Sequence, residues 1–103
     1  MKREGLDDQG SYFSINQVSG TAPILFCHGV GLSSKIWYPQ INFFENKQTT
    51  IAYDLLNHGH TTSYSRDLNF DDFSSQIDGL LQYLQYPKIN IVGFSLGALI
   101  TAH

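Results

Sequence analysis

The amino-acid sequence predicts an α/β domain built on a mostly parallel sheet with flanking helices, and three observations carry that prediction. Short β-branched or apolar runs bounded by turn residues recur along the chain, at Ala22-Pro-Ile-Leu-Phe-Cys27, Thr49-Thr-Ile-Ala-Tyr53 and Ile89-Asn-Ile-Val92. Segments of helical character lie between them. Turn residues, with glycine, proline and asparagine among them, fall between the apolar runs. Such alternation of strand and helix is satisfied by parallel strands joined by right-handed crossovers.

From the amino terminus, Ser11-Tyr-Phe-Ser-Ile15 is a first, weaker strand candidate, and no element is predicted for the ten residues before it. The run at 22–27 is followed by the turn Gly29-Val-Gly31 and a less regular helical candidate from Ile36 to Phe44. Beyond the run at 49–53, Phe73, Ile77, Leu80, Leu81 and Leu84 recur at the spacing that lines one face of a helix between Asp71 and Leu84. Asn69 or Asp71 is its candidate cap, and Pro87 follows its end. The apolar runs read as strands covered on both faces, as parallel strands are.

The 103 residues fit one small domain, with no internal repeat and no low-complexity tract. The formal net charge is −3 and the six basic residues are scattered, so nothing follows a phosphate backbone and nucleic acid is not an expected partner. After Met1-Lys2-Arg3 the chain turns polar and acidic, without the apolar core of a secretory signal. The longest apolar run, Ile91 to Ala102, is interrupted by Gly93, Ser95 and Gly97 and is too short to cross a bilayer. A cytoplasmic protein without a membrane span is expected. Cys27 is the only cysteine, which leaves no internal disulfide to form.

In an open parallel sheet, ligands bind beyond the carboxyl ends of the strands. Three exits carry suggestive chemistry: Phe26-Cys-His-Gly-Val-Gly31, Tyr53-Asp-Leu-Leu-Asn-His-Gly-His60 and Val92-Gly-Phe-Ser-Leu-Gly97. The last has the form Gly-x-Ser-x-Gly, between an apolar strand and an apolar, small-residue helix start. A strand turning that sharply into a helix exposes the hydroxyl of Ser95 on a strained backbone, and Gly93 and Gly97 supply the clearance. The backbone N–H of Leu96 then falls in the first turn of the helix, where orphan donors and the dipole favour a developing oxyanion. Ser95 is thus the candidate nucleophile, set against the plainer reading of a glycine-rich turn.

Together the three exits resemble the α/β-hydrolase superfamily, from about Ser11 to the last residue. The resemblance implies that the backbone N–H of Val30, following His28-Gly29, is the second oxyanion donor. It also implies that His28 shapes the turn and is not the general base. Cys27 beside it could suggest a Cys-His dyad, but adjacent residues of a strand point to opposite faces, and Cys27 reads as core. Asp54-Leu-Leu-Asn-His-Gly-His-Thr61 resembles the family's Asp-x-x-Gly-His-Gly-x-Ser loop, with Asn57 where glycine is usual and Thr61 where serine is usual. Asp54 and Gly59 keep the pattern, and the loop is implied to be structural. His58-Gly-His60 could instead chelate a metal, yet Thr61-Thr-Ser-Tyr-Ser lacks the Asp-His such a site would need. Neither a metal nor a cofactor is expected.

A serine nucleophile needs a base to take its proton and an acid to orient that base. In the family both follow the nucleophile, Asp or Glu first and His second, whereas eight residues follow Ser95 here. His103 would lie about two turns along the nucleophile helix, out of reach of the hydroxyl. Residues 1–103 are therefore expected to form the amino-terminal part of a single α/β-hydrolase domain, incomplete at the carboxyl end, with the triad Asp and His outside it. Dehalogenases and epoxide hydrolases of the superfamily carry Asp where this chain has Ser95, so the resemblance implies hydrolysis of a small-molecule ester, thioester or lactone. His28-Gly-Val-Gly-Leu-Ser-Ser-Lys-Ile-Trp37 and the loop from Tyr53 to His60 are most similar to 3-oxoadipate enol-lactonases, cofactor-free haloperoxidase-type esterases and small carboxylesterases. A non-catalytic binding or receptor protein on the same fold, or an inactive truncated fragment, is the alternative.

Overall fold

The computed structural model describes residues 2–29, 32–56, 58–61, 69–86 and 89–93. Within them five strands form one sheet in the order β1-β2-β4-β3-β5. Strands β1 (Lys2–Leu6) and β2 (Tyr12–Asn16) make an antiparallel hairpin, and β2 runs antiparallel to β4 (Thr50–Tyr53). From β4 through β3 (Ile24–Cys27) to β5 (Asn90–Gly93) the sheet is parallel. The runs predicted at 22–27, 49–53 and 89–92 form this parallel part, and the candidate at 11–15 is β2.

Strand β1 has no counterpart among the elements the sequence predicts, for a physical reason. Its sequence, Lys-Arg-Glu-Gly-Leu, has no alternating apolar face, and it is an exposed edge strand held by its pairing with β2. The turn between them is tied by the Asp7 carboxylate, whose Oδ1 accepts the N–H groups of Gln9 and Ser11, each at 2.9 Å. That is an Asx turn, a conformation in which a short carboxylate stands in for a backbone acceptor.

The helical candidate at 36–44 resolves into two pieces: a 3₁₀ turn over Ser34–Trp37 and a helix α1 over Tyr38–Phe43. Pro39 sits in the first turn of α1, where its missing N–H is tolerated. The second helix, α2, spans Phe70–Leu84. A capping box starts it: Asn69 Oδ1 accepts the Asp72 N–H at 3.0 Å and Asp72 Oδ2 accepts the Asn69 N–H at 2.9 Å, so Asn69, not Asp71, is the cap. Gln85 ends the helix at φ +65, and Tyr86 donates its N–H to the Leu81 carbonyl at 3.0 Å.

Strand alternation divides the core between the two faces of the sheet. Phe13, Ile15, Leu25, Cys27, Ile51 and Tyr53 pack with Phe73, Ile77, Leu80 and Leu84 of α2. On the other face, Phe26 and Ala52 pack with Trp37, supported by Ile24, Ile36, Ile41 and Phe44. The central strands β3 and β4 are therefore covered on both faces, as their uninterrupted apolar composition implies. Strand β5 departs from that expectation: it pairs only with β3 among the described residues, and Ile91 and Val92 are 41% and 40% exposed. The layers thus bring the carboxyl ends of β3, β4 and β5 to one edge of the molecule.

Candidate active site

Register places the three chemically suggestive exits level with one another. Cys27, the last residue of β3, is opposite Tyr53 of β4 on one side and Gly93 of β5 on the other. With strands about 4.8 Å apart, His28-Gly29, Asp54 and the chain leaving Gly93 start side by side. Val30, Ser95, Leu96, Gly97 and His103 lie outside the described residues, as does Asn57.

His28 is fully buried, and both of its ring nitrogens are engaged with backbone. Leu55 donates its N–H to Nε2 at 2.9 Å, which requires a lone pair there. The proton is therefore on Nδ1, which donates to the Gly29 carbonyl at 2.7 Å. Burial holds the imidazole below its ordinary pKa of 6.5, with the nearby His58 acting in the same direction, against the Gly29 hydrogen bond and Asp54. An imidazole so occupied has no nitrogen with which to take a proton from a serine. What it does is tie the exit of β3 to the exit of β4.

Asp54 is the second anchor. Its Oδ1 accepts the Ser34 N–H at 2.7 Å and its Oδ2 accepts the His60 N–H at 2.9 Å, so one carboxylate holds the segment after Gly29 and its own loop together. Charge-assisted bonds of this kind are among the stronger ones available to a buried carboxylate. Gly59 lies at φ +49, and a Cβ there would run into the Asp54 carboxylate. Glycine is required at that position twice over, by conformation and by space. Thr61, standing where the family pattern has serine, uses the hydroxyl both residues share: it accepts the Tyr12 N–H at 2.9 Å and donates to the Asp54 carbonyl at 2.6 Å.

Gln76 belongs to none of the sequence motifs. It is buried on α2, where its Oε1 accepts the Leu56 N–H at 3.1 Å and its Nε2 donates to the Asp54 carbonyl at 2.9 Å and to Ser11 Oγ at 3.0 Å. The available signal was its position: Gln76 falls three residues after Phe73 and four before Leu80, inside the apolar stripe of the helix. A polar residue on a stripe that must be buried needs partners at the other side of the interface.

The alternatives at this edge have definite fates. The Cys27 thiol is buried 2.9 Å from the Tyr53 hydroxyl, and burial pushes its pKa up, so it is a neutral core group. His58 donates its Nδ1–H to the Leu56 carbonyl at 2.9 Å, and the His60 ring rests against Tyr12 with centroids 5.3 Å apart. Among the described residues, no three His, Cys, Asp or Glu side chains gather as metal ligands, and no helix is long and apolar enough to cross a membrane. A cleft of about 150 Å³ opens at the loop, lined by Tyr12, Ser34, Lys35, Tyr38, Asp54 and His60. A larger one of about 380 Å³ lies between β1, β2 and α1, away from the exits of β3 and β5.

A parallel sheet whose exits carry His-Gly, an Asp-anchored Gly loop and Gly-x-Ser-x-Gly is the arrangement of one large class, and the chain belongs to the α/β-hydrolase fold family, whose model matches residues 22–103. Among curated relatives, it is 34% identical over 79 residues to (E)-2-((N-methylformamido)methylene)succinate hydrolase of Acinetobacter baylyi, covering 77% of this chain and 30% of that one. It is 28% identical over 89 residues to 3-oxoadipate enol-lactonase 2 of the same organism, covering 86% and 33%. The enol-lactonase of Burkholderia xenovorans LB400 superposes with a TM-score of 0.84 at 20% identity, over 95% of this chain and 39% of that structure. The chain thus spans about a third of the length of these relatives.

Proposed function

We propose that these 103 residues are the amino-terminal part of a single hydrolase domain that cleaves a small-molecule ester, thioester or lactone through the Ser95 hydroxyl. The observation that carries the reading is the level register of Cys27 and Gly93, which starts the Gly-x-Ser-x-Gly turn one strand away from His28-Gly29. The hydrolase and enol-lactonase relatives support the same chemistry. In this reading Ser95 attacks the substrate carbonyl, and the N–H groups of Val30 and Leu96 stabilise the oxyanion that develops. The leaving alcohol, thiol or enol departs as the acyl group passes to Ser95, and water then releases the acid. In this reading the base that takes the serine proton and the acid that orients it lie outside residues 1–103, and the engagement of both His28 ring nitrogens with backbone supports it by removing His28 as the base. His28, Gly29, Asp54, Gly59, Gly93 and Gly97 shape the site without touching the reacting atoms.

The test is to treat the full-length protein with a fluorophosphonate probe and locate the adduct by mass spectrometry. Labelling of Ser95, with loss of nearly all p-nitrophenyl ester turnover in Ser95→Ala, is the expected result. Labelling elsewhere with Ser95 untouched sinks the nucleophile assignment. A folded protein that binds esters without turning them over would favour the receptor alternative.

A further inference from the structure

We propose that Gln76 is a positioning residue of the oxyanion hole, acting through the Asp54–Leu55 peptide and His28; the proposal rests on the assignment of Val30 as an oxyanion donor. Its foundation is a run of alternating peptide planes and side chains, each fixing the next.

The peptide joining Asp54 to Leu55 is planar, with its carbonyl and N–H pointing in opposite directions. Its carbonyl accepts two hydrogen bonds, from Gln76 Nε2 at 2.9 Å and Thr61 Oγ1 at 2.6 Å. Its N–H donates to His28 Nε2 at 2.9 Å. Two donors on the carbonyl fix the plane and polarise it, which makes the opposite N–H a better donor. That N–H keeps Nε2 unprotonated and sends the ring proton to Nδ1, which holds the Gly29 carbonyl at 2.7 Å. The Gly29 carbonyl and the N–H of residue 30 belong to one planar peptide unit, and through that covalent link the proposed relay extends to Val30.

Only a side-chain amide meets the demand at Gln76. The site needs one acceptor for the Leu56 N–H, at 3.1 Å, and donors for the Asp54 carbonyl and for Ser11 Oγ, at 2.9 and 3.0 Å. A carboxylate would bring lone pairs against the Asp54 carbonyl, and an apolar side chain would leave the Leu56 N–H unpaired in the core. Strand pairing cannot replace it, because the β3–β4 ladder ends at Cys27 and Tyr53.

The experiment compares wild type with Gln76→Met in the full-length protein, with Thr61→Val as a second route to the same carbonyl and Leu80→Ala as a core variant remote from the relay. The ¹⁵N resonances of the His28 ring report its tautomer directly. Wild type should show the proton on Nδ1; Gln76→Met and Thr61→Val should populate the other tautomer, and Leu80→Ala should not. In Gln76→Met, kcat should fall about tenfold or more with KM within about twofold, and affinity for a boronic acid that mimics the oxyanion should fall by the same factor as kcat. An unchanged His28 tautomer in both relay variants overturns the proposal. So does an equal loss of kcat and boronate affinity in Leu80→Ala, which would make Gln76 a structural residue only. Should wild type show no Ser95-dependent turnover, the proposed function fails and takes the catalytic role of Gln76 with it, while the tautomer measurement decides the relay by itself.

Discussion

Gly59 turns at φ +49 directly against the Asp54 carboxylate, with no room for a side-chain carbon between them. The carboxylate cannot retreat without releasing the Ser34 and His60 N–H groups it holds at 2.7 and 2.9 Å. Gly59→Ala is therefore expected to destabilise the protein by about 2 kcal/mol or more, combining the penalty of a left-handed backbone with loss of buried hydrogen bonds. Urea unfolding midpoints compare the two; an unchanged midpoint contradicts the account of this loop.

The His28 ring couples stability to pH. Its folded pKa lies below the ordinary 6.5, with burial the largest cause, so the unfolded chain binds a proton in a pH range where the folded one does not. Stability is fully present above about 6.5 and is lost as pH falls through the lowered folded value. Protonation would set an Nε2–H against the Leu55 N–H and open the link between the β3 and β4 exits. Thermal melting across that window should show this acid-side loss. His28→Asn, less stable at neutral pH, should show a flatter profile there. An equally steep profile in the variant would assign the loss to another group.

A ligand-bound structure of the full-length protein should place the N–H groups of Val30 and Leu96 on one point, with a substrate or inhibitor oxygen about 2.7 to 3.1 Å from both. Amides that diverge around the bound oxygen would remove Val30 from the oxyanion hole, and with it the catalytic part of the Gln76 relay.

Residues 1–103 expressed alone are expected to aggregate and to lack esterase activity. Strand β5 exposes Ile91 and Val92 and pairs only with β3 among the described residues, the kind of apolar edge that recruits other chains. Sedimentation, thermal unfolding and p-nitrophenyl ester hydrolysis beside Ser95→Ala decide the matter. A soluble monomer with Ser95-dependent turnover would require a base within this chain.

The parallel strands and α2 were legible because burial on both faces forces uninterrupted apolar runs at β3 and β4, and burial on one face forces the 73-77-80-84 stripe on α2. Strand β1 was not, since an exposed edge strand carries no apolar alternation and exists through its partner's hydrogen bonds. Break points inside the 36–44 segment were also hidden: Pro39 allows a helix to begin around it without saying what precedes. At the candidate site, glycines and histidines announced the three exits, whereas Gln76 looked like an ordinary polar residue of a helix.

By itself, the sequence determined which segments are apolar enough to become strands, which positions demand glycine, and where a serine stands between two of them. These are local properties, set by side-chain size and backbone freedom, and they are readable one stretch at a time. Only the tertiary structure decided that Cys27 lies level with Gly93, that Asp54 holds the Ser34 and His60 amides, and that Gln76 reaches the peptide whose N–H sets the His28 proton. Those relationships join residues twenty or more positions apart in most cases, and strand register and helix docking, which depend on the whole core, determine them together.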